Sequence, residues 1–156
     1  RVASPAFIGD YIKQYAAKKR PVLVTGCFDP LHVGHIYHLQ AAREMGDPLV
    51  VAIMKDGYVQ QGKHRPMFSQ DERMTVLRAI AIVDDVIVVE HPIDALAELK
   101  PAIWCIGVEY KNRVSAEDAS YCRANGIELA YTNKKTYSST KICNLLRQDY
   151  GALFNG

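Results

Sequence analysis

Residues 22–35 read Val-Leu-Val-Thr-Gly-Cys-Phe-Asp-Pro-Leu-His-Val-Gly-His, and the reading of this stretch decides the fold. Val22 to Thr25 is a short β-branched run of the kind that forms a buried strand. Gly26 to Leu31 breaks it with glycine, aspartate and proline, and a helix follows from about Gly34 to Met45, stopped by Gly46. Neither GxGxxG nor GxxxxGK[ST] occurs in the loop, so the usual dinucleotide and P-loop signals are missing. In their place His32 and His35 stand three apart at a helix start, with Gly34 between them. Positions i and i+3 share a helix face, so both imidazoles can point at one spot. The helix start adds N–H groups and the positive end of the macrodipole, and Gly34 has no side chain to obstruct an approaching phosphate. The combination predicts a compact anion site able to donate hydrogen bonds.

Outward from this stretch, short apolar runs alternate with amphipathic segments. Leu49–Met54, Val86–Val89, Ile103–Ile106 and Glu128–Thr132 read as further strands. Leu49–Met54 is apolar throughout, as a strand covered on both faces should be. Ser69 with Glu72 is a capping box opening a helix through Ile82; Ile93–Leu99, the segment from Ser115 to Asn125, and Ser138–Arg147 are the other helices. Ser4-Pro5 starts one more, to about Ala17. The expected fold is therefore α/β: a Rossmann-like, doubly wound, five-stranded parallel sheet with helices on both faces, in a single domain. We expect an N-terminal helix over residues 1–20, the sheet domain over 21–150 and a tail at 151–156. Ligands of such sheets bind beyond the carboxyl ends of the strands, where strand order reverses.

At 156 residues the chain suits one domain, and 49% apolar with 23% charged residues is globular composition. A net charge of +2 gives no general reason for binding nucleic acid or membrane, so neither partner is expected and an anion site must be built locally. Cys27, Cys105, Cys122 and Cys143 form no CxxC pair. With no basic-then-apolar leader and no apolar run of about 18 residues, free thiols in the cytoplasm are expected.

The full string GCFDPLHVGH in a strand–loop–helix setting resembles the HxGH nucleotidyltransferase superfamily, and within it the cytidylyltransferase-like branch. That branch includes glycerol-3-phosphate cytidylyltransferase, archaeal FAD synthetase and the adenylyltransferase domain of bifunctional ADP-heptose synthase. The resemblance runs from about Val22 to Leu146. Four segments extend it: Lys55-Asp56 after the second strand; Gly62-Lys63-His64-Arg65-Pro66 with Glu72-Arg73; Gly107-Val108-Glu109-Tyr110, where Glu109 replaces an aspartate; and Tyr137-Ser138-Ser139-Thr140 at the last helix.

The resemblance implies transfer of AMP or CMP from ATP or CTP to a phosphorylated small molecule, with release of pyrophosphate. His32 and His35 would stabilise the five-coordinate transition state, while Lys63 and Arg73 would neutralise developing charge. Gly26, Cys27, Phe28, Gly34, Gly107, Glu109, Tyr137, Ser138, Ser139 and Thr140 would bind the nucleotide. Asp29 and Asp56 would line the acceptor side, Mg²⁺ would come with the triphosphate, and a homodimer is the common assembly. No side-chain metal set is expected, although Cys27, His32, His35 and His38 resemble one on paper. The stretch from Asn133 to Thr140 lacks the arginine that glycerol-3-phosphate enzymes carry there, and a second family arginine falls on Ala81; heptose-type domains lack that second arginine too, which favours their branch. Lys134 and Lys135 are candidates for the missing charge. Two rivals remain at this point, another adenylyltransferase of cofactor biosynthesis and a catalytically silent nucleotide-sensing domain.

Overall fold

The computed structural model describes residues 20–59, 61–133 and 138–150. The expected helix over 4–17, Lys134 and Lys135, Tyr137 and the tail at 151–156 lie outside the described residues. Five strands alternate with helices: β1 (Val22–Gly26), α1 (Val33–Met45), β2 (Leu49–Met54), α2 (Gln70–Arg78), β3 (Asp85–Val89), α3 (Pro92–Leu99), β4 (Ile103–Gly107), α4 (Ala116–Asn125), β5 (Glu128–Thr132) and α5 (Ser139–Tyr150). All pair in parallel in the order β3-β2-β1-β4-β5, with Val22 opposite both Leu49 and Ile103. The expected doubly wound sheet is present, and its order reverses between β1 and β4.

Side chains alternate across the sheet and divide the core in two. Val22, Val24, Val51, Ile53 and Cys105 pack on one face with Leu39 of α1 and Leu77 of α2. Leu23, Val50, Ala52, Trp104 and Ile106 pack on the other with Leu96 of α3 and Cys122 of α4. Burial on both faces is why the strands read as unbroken apolar runs. The helix ends follow their sequence signals: Ser69 and Glu72 close the box on α2, Ser115 caps α4, and Gly126 ends α4 at φ 66°, a conformation that favours glycine. Gly46 is needed for a close approach, since a Cβ there would lie 2.0 Å from the Arg20 carbonyl oxygen.

Buried charge ties the loops to the carboxyl edge of the sheet. The Asp29 carboxylate is fully enclosed and accepts from Arg65 Nε and the Met67 N–H, both at 2.8 Å, and from the Phe68 N–H at 2.9 Å. Arg65 also donates to the Asp29 carbonyl and the Gln61 side chain. Arg73 is buried beside them. Its Nε donates to the Phe68 carbonyl at 3.0 Å, and its two terminal nitrogens donate to the carbonyls of Cys27 and Met54 at 2.9 Å and to Asp56 at 2.8 Å. Asp29, expected on the acceptor side, and Arg73, expected at the phosphates, are both occupied by these partners, Arg73 joining three segments of chain. The physical reason is the same for both: a charge taken out of water must be satisfied by partners, and these partners are backbone and each other.

The four cysteines are free thiols. Cys105 is fully buried, and burial pushes its thiol from 9.0 up to about 12. Among the described residues no helix is long and apolar enough to cross a membrane.

Two outcomes are expected. Asp29→Ala should cost about 3–5 kcal/mol of stability in urea unfolding, because it strands the Arg65 guanidinium; an unchanged midpoint would show that the clamp holds nothing. Stability should also fall as pH rises from about 9 toward about 12. The unfolded chain gives up the Cys105 proton near 9.0 while the folded chain keeps it, so protons bound in the unfolded state are fewer and the slope is negative. Denaturation of Cys105→Ala across the same range should show a shallower fall, and a fall as steep as that of the parent would sink this assignment.

Candidate active site

A cavity of about 230 Å³ opens at the carboxyl ends of β1 and β4, at the reversal of strand order. The start of α1 forms part of its wall. His32 occupies the N-cap with extended backbone, and its Nδ1 accepts the Gly34 N–H at 3.1 Å. His35 Nδ1 accepts the His32 N–H, also at 3.1 Å. The two rings stack with centroids 3.8 Å apart and planes 27° from parallel, and both border the cavity. With Nδ1 accepting in each ring, the network assigns the neutral proton to Nε2, so each imidazole is a donor at that atom.

This arrangement modifies one expectation. The Gly34 N–H is taken by His32, and Gly34 is buried in the first turn and is not part of the cavity wall.

The rings are held from behind. Phe28 adopts φ 53°, is buried, and sets its ring 4.8 Å from that of His35. Gly26 makes this possible, because a Cβ there would sit 3.0 Å from Phe28 Cε2. One turn further along α1, His38 places Nδ1 2.7 Å from Thr132 Oγ1, joining the helix to the end of β5. Trp104 of β4 is buried but also borders the cavity, and its Nε1–H donates to Thr25 Oγ1 at 3.0 Å. Burial raises the Cys27 thiol above its ordinary value, against the opposing pull of Arg73.

Facing the imidazoles is the start of α5. Ser138 Oγ accepts the Lys141 N–H at 3.4 Å as an N-cap, and Ser139 Oγ donates to the Pro30 carbonyl at 2.8 Å. Ser138, Ser139 and Thr140 all border the cavity, and the first-turn N–H groups of residues 139 and 140 have no acceptor within the helix. Gly26, Cys27, Phe28 and Gly107 border it too.

Several expected residues stand elsewhere. Lys63 is exposed and off the cavity wall, and its carbonyl accepts from Arg147 of α5. Glu109 is exposed and folds back beside the Gly107 α-carbon. Asp56 is paired with Arg73 and does not border the cavity. Sequence reasoning missed Arg113 and Asp118, which do border the cavity. Both follow β4, at whose carboxyl end ligands of such sheets bind, and Arg113 lies just past the Gly107-Val108-Glu109-Tyr110 segment that carries the resemblance.

The model of the cytidylyltransferase-like family matches residues 23–144. Curated relatives include the bifunctional protein HldE of Campylobacter concisus, 40% identical over 62% of this chain and 21% of the relative. The bifunctional protein HldE of Proteus mirabilis is 34% identical over 83% of this chain and 28% of the relative. The chain thus spans about a fifth to a quarter of the length of these relatives. Among solved structures, a lipopolysaccharide core biosynthesis protein from Thermoplasma volcanium superposes with a TM-score of 0.63 at 28% identity, covering 77% of this chain and 99% of that one. With the family match running from within β1 into α5 and enclosing the stacked imidazole pair, the chain belongs to the cytidylyltransferase-like family of nucleotidyltransferases.

Proposed function

We propose that the chain transfers AMP or CMP from a nucleoside triphosphate to a sugar phosphate or polyol phosphate in the cytoplasm, with release of pyrophosphate. The observation that carries this reading is the pair of stacked imidazoles facing the first turn of α5 across one cavity. The relatives named HldE and the lipopolysaccharide core biosynthesis protein support a sugar phosphate as acceptor, and the heptose-type branch supports ATP as donor.

The chemistry asks little of covalent catalysis. An oxygen of the acceptor phosphate attacks the α-phosphorus, the bond from that phosphorus to the bridging oxygen breaks, and pyrophosphate leaves with the electron pair. The barrier is the meeting of two anions and the charge that builds on the equatorial oxygens. Nε2–H of His32 and of His35 donates to the α-phosphate as that charge grows, from rings already fixed by their Nδ1 contacts. The first-turn N–H groups of α5 and the Thr140 hydroxyl take the β- and γ-phosphates. Lys63, on the exposed segment beside α5, supplies further positive charge to the bound substrates.

Among the described residues no three His, Cys, Asp or Glu side chains converge on a metal position. A Mg²⁺ carried by the nucleotide's own phosphates would neutralise charge there.

His32→Ala and His35→Ala should each lower turnover by roughly 10²-fold or more in a pyrophosphate-release assay with ATP or CTP and a panel of sugar and polyol phosphates. His32→Ala should also cost about 1 kcal/mol of stability as a lost N-cap. Parent-like turnover in both variants would remove the imidazoles from the mechanism. Nucleotide binding by the parent without pyrophosphate from any acceptor would instead favour a silent sensing domain.

A further inference from the structure

We infer that Arg113 and Asp118 select the base of the nucleotide, Asp118 accepting the exocyclic amino group that adenine and cytosine carry and Arg113 donating to the acceptor atom beside it. The inference rests on the nucleotidyl-transfer reading above and adds to it a choice of base by side chains.

The cavity straddles the carboxyl edge of the sheet and differs at its two ends. On the side of α1 and α5 are the imidazoles and the serine-rich helix start. On the side of α3 and α4, Pro92, Ile106 and Val114 border it together with Trp104, whose indole packs in the core of that face. Flat apolar walls suit a planar heterocycle and offer nothing to a phosphate. Apart from histidines, the only charged side chains among the described residues that border the cavity are Arg113 and Asp118, and both belong to this second end. An arginine alone would be compatible with a phosphate. A carboxylate bordering the same cavity is not, because two anions there would repel. A neutral group that presents a donor next to an acceptor satisfies both.

Their local settings support a role beyond holding the fold. Asp118 is the third residue of α4, and its own N–H donates to Ser115 Oγ at 3.0 Å. At the same position of α2 and α3, Glu72 and Asp94 turn back and accept the N–H of the capping residue, at 2.8 and 2.9 Å. Among the described residues Asp118 makes no such return; it is half-buried at the cavity instead. Arg113 ends the turn that follows β4, with its guanidinium 5.4 Å from the centroid of the Tyr110 ring, a contact that steadies an otherwise exposed side chain at the rim.

Adenine offers an amino donor beside the ring acceptor N1, and cytosine an amino donor beside N3. Guanine and uracil reverse both, placing an oxygen acceptor and a ring N–H there. Against Asp118 and Arg113 the first pair gains two charge-assisted hydrogen bonds, and the second meets like with like.

The test is calorimetric binding of ATP, CTP, GTP and UTP, with inorganic triphosphate as a probe that has no base. The parent is expected to bind ATP or CTP at least about 10-fold more tightly than GTP and UTP. Asp118→Ala and Arg113→Ala should each bring the four nucleotides to within about 3-fold of one another while leaving inorganic triphosphate unchanged. Asp118→Asn, which keeps the shape, should show the same loss of preference if the alanine variant folds poorly. A base preference that survives these variants overturns the inference, and so does a fall in triphosphate affinity for Arg113→Ala, which would place the guanidinium at the phosphates. Parent protein that binds no nucleotide overturns this inference and the function above together. The expected base preference without pyrophosphate release from any acceptor overturns only the function.

Discussion

At the start of α1 two ring nitrogens take up the backbone donors that every helix leaves without intrahelical partners: His32 Nδ1 from Gly34, and His35 Nδ1 from the N–H of His32 itself. Serine, threonine and aspartate usually do this work, with side chains that end at the cap. Imidazole has a second nitrogen on its far edge. The same contact that closes the helix therefore fixes the tautomer, the ring plane and the donor at Nε2. Under the proposed function, stability and chemistry draw on one pair of side chains, and neighbouring residues hold those rings in place. Phe28 leans on His35 in a left-handed conformation that Gly26 accommodates, and His38 secures the next turn against Thr132.

Around this cap, charge is divided by burial rather than by residue type. Asp29 and Arg65 in loops and Arg73 in α2 gather at the carboxyl edge of the sheet, where ligands are bound in folds of this kind. Each is enclosed, and an enclosed charge is costly unless fully partnered. Their partners are backbone carbonyls, backbone N–H groups and neighbouring side chains, and none of the three borders the cavity. Arg113 and Asp118, farther along the chain, are exposed and half-buried and border the cavity itself.

Much of this was legible beforehand because it rests on local rules. Apolar runs such as Leu49–Met54 could be read as strands because both faces of the sheet are covered, and the cap of Ser69 with Glu72 and the stop at Gly126 were readable from neighbouring residues alone. The histidine pair was readable because residues three apart on a helix must share a face. The fates of Arg73 and Trp104 were not readable. Arg73 finds its acceptors 46 and 19 positions earlier in the chain, at Cys27 and Met54, and Trp104 reaches back 79 positions to Thr25.

The amino-acid sequence by itself thus determined the alternation of strands and helices and the placing of His32 and His35 together at one helix start, since each follows from periodicity or from spacing within a few residues, and its resemblance along the GCFDPLHVGH string pointed to the family. Only the tertiary structure decided which charges face the cavity and which are consumed in holding it. That outcome depends on what lies within hydrogen-bond reach once distant loops meet at the edge of the sheet. It also decided that the Gly34 N–H is committed to His32, because both the capping atom and the competing use converge on the same backbone group. Contacts between loops far apart in the chain carry no periodic signal, and the partner that satisfies a buried charge is set by proximity in space.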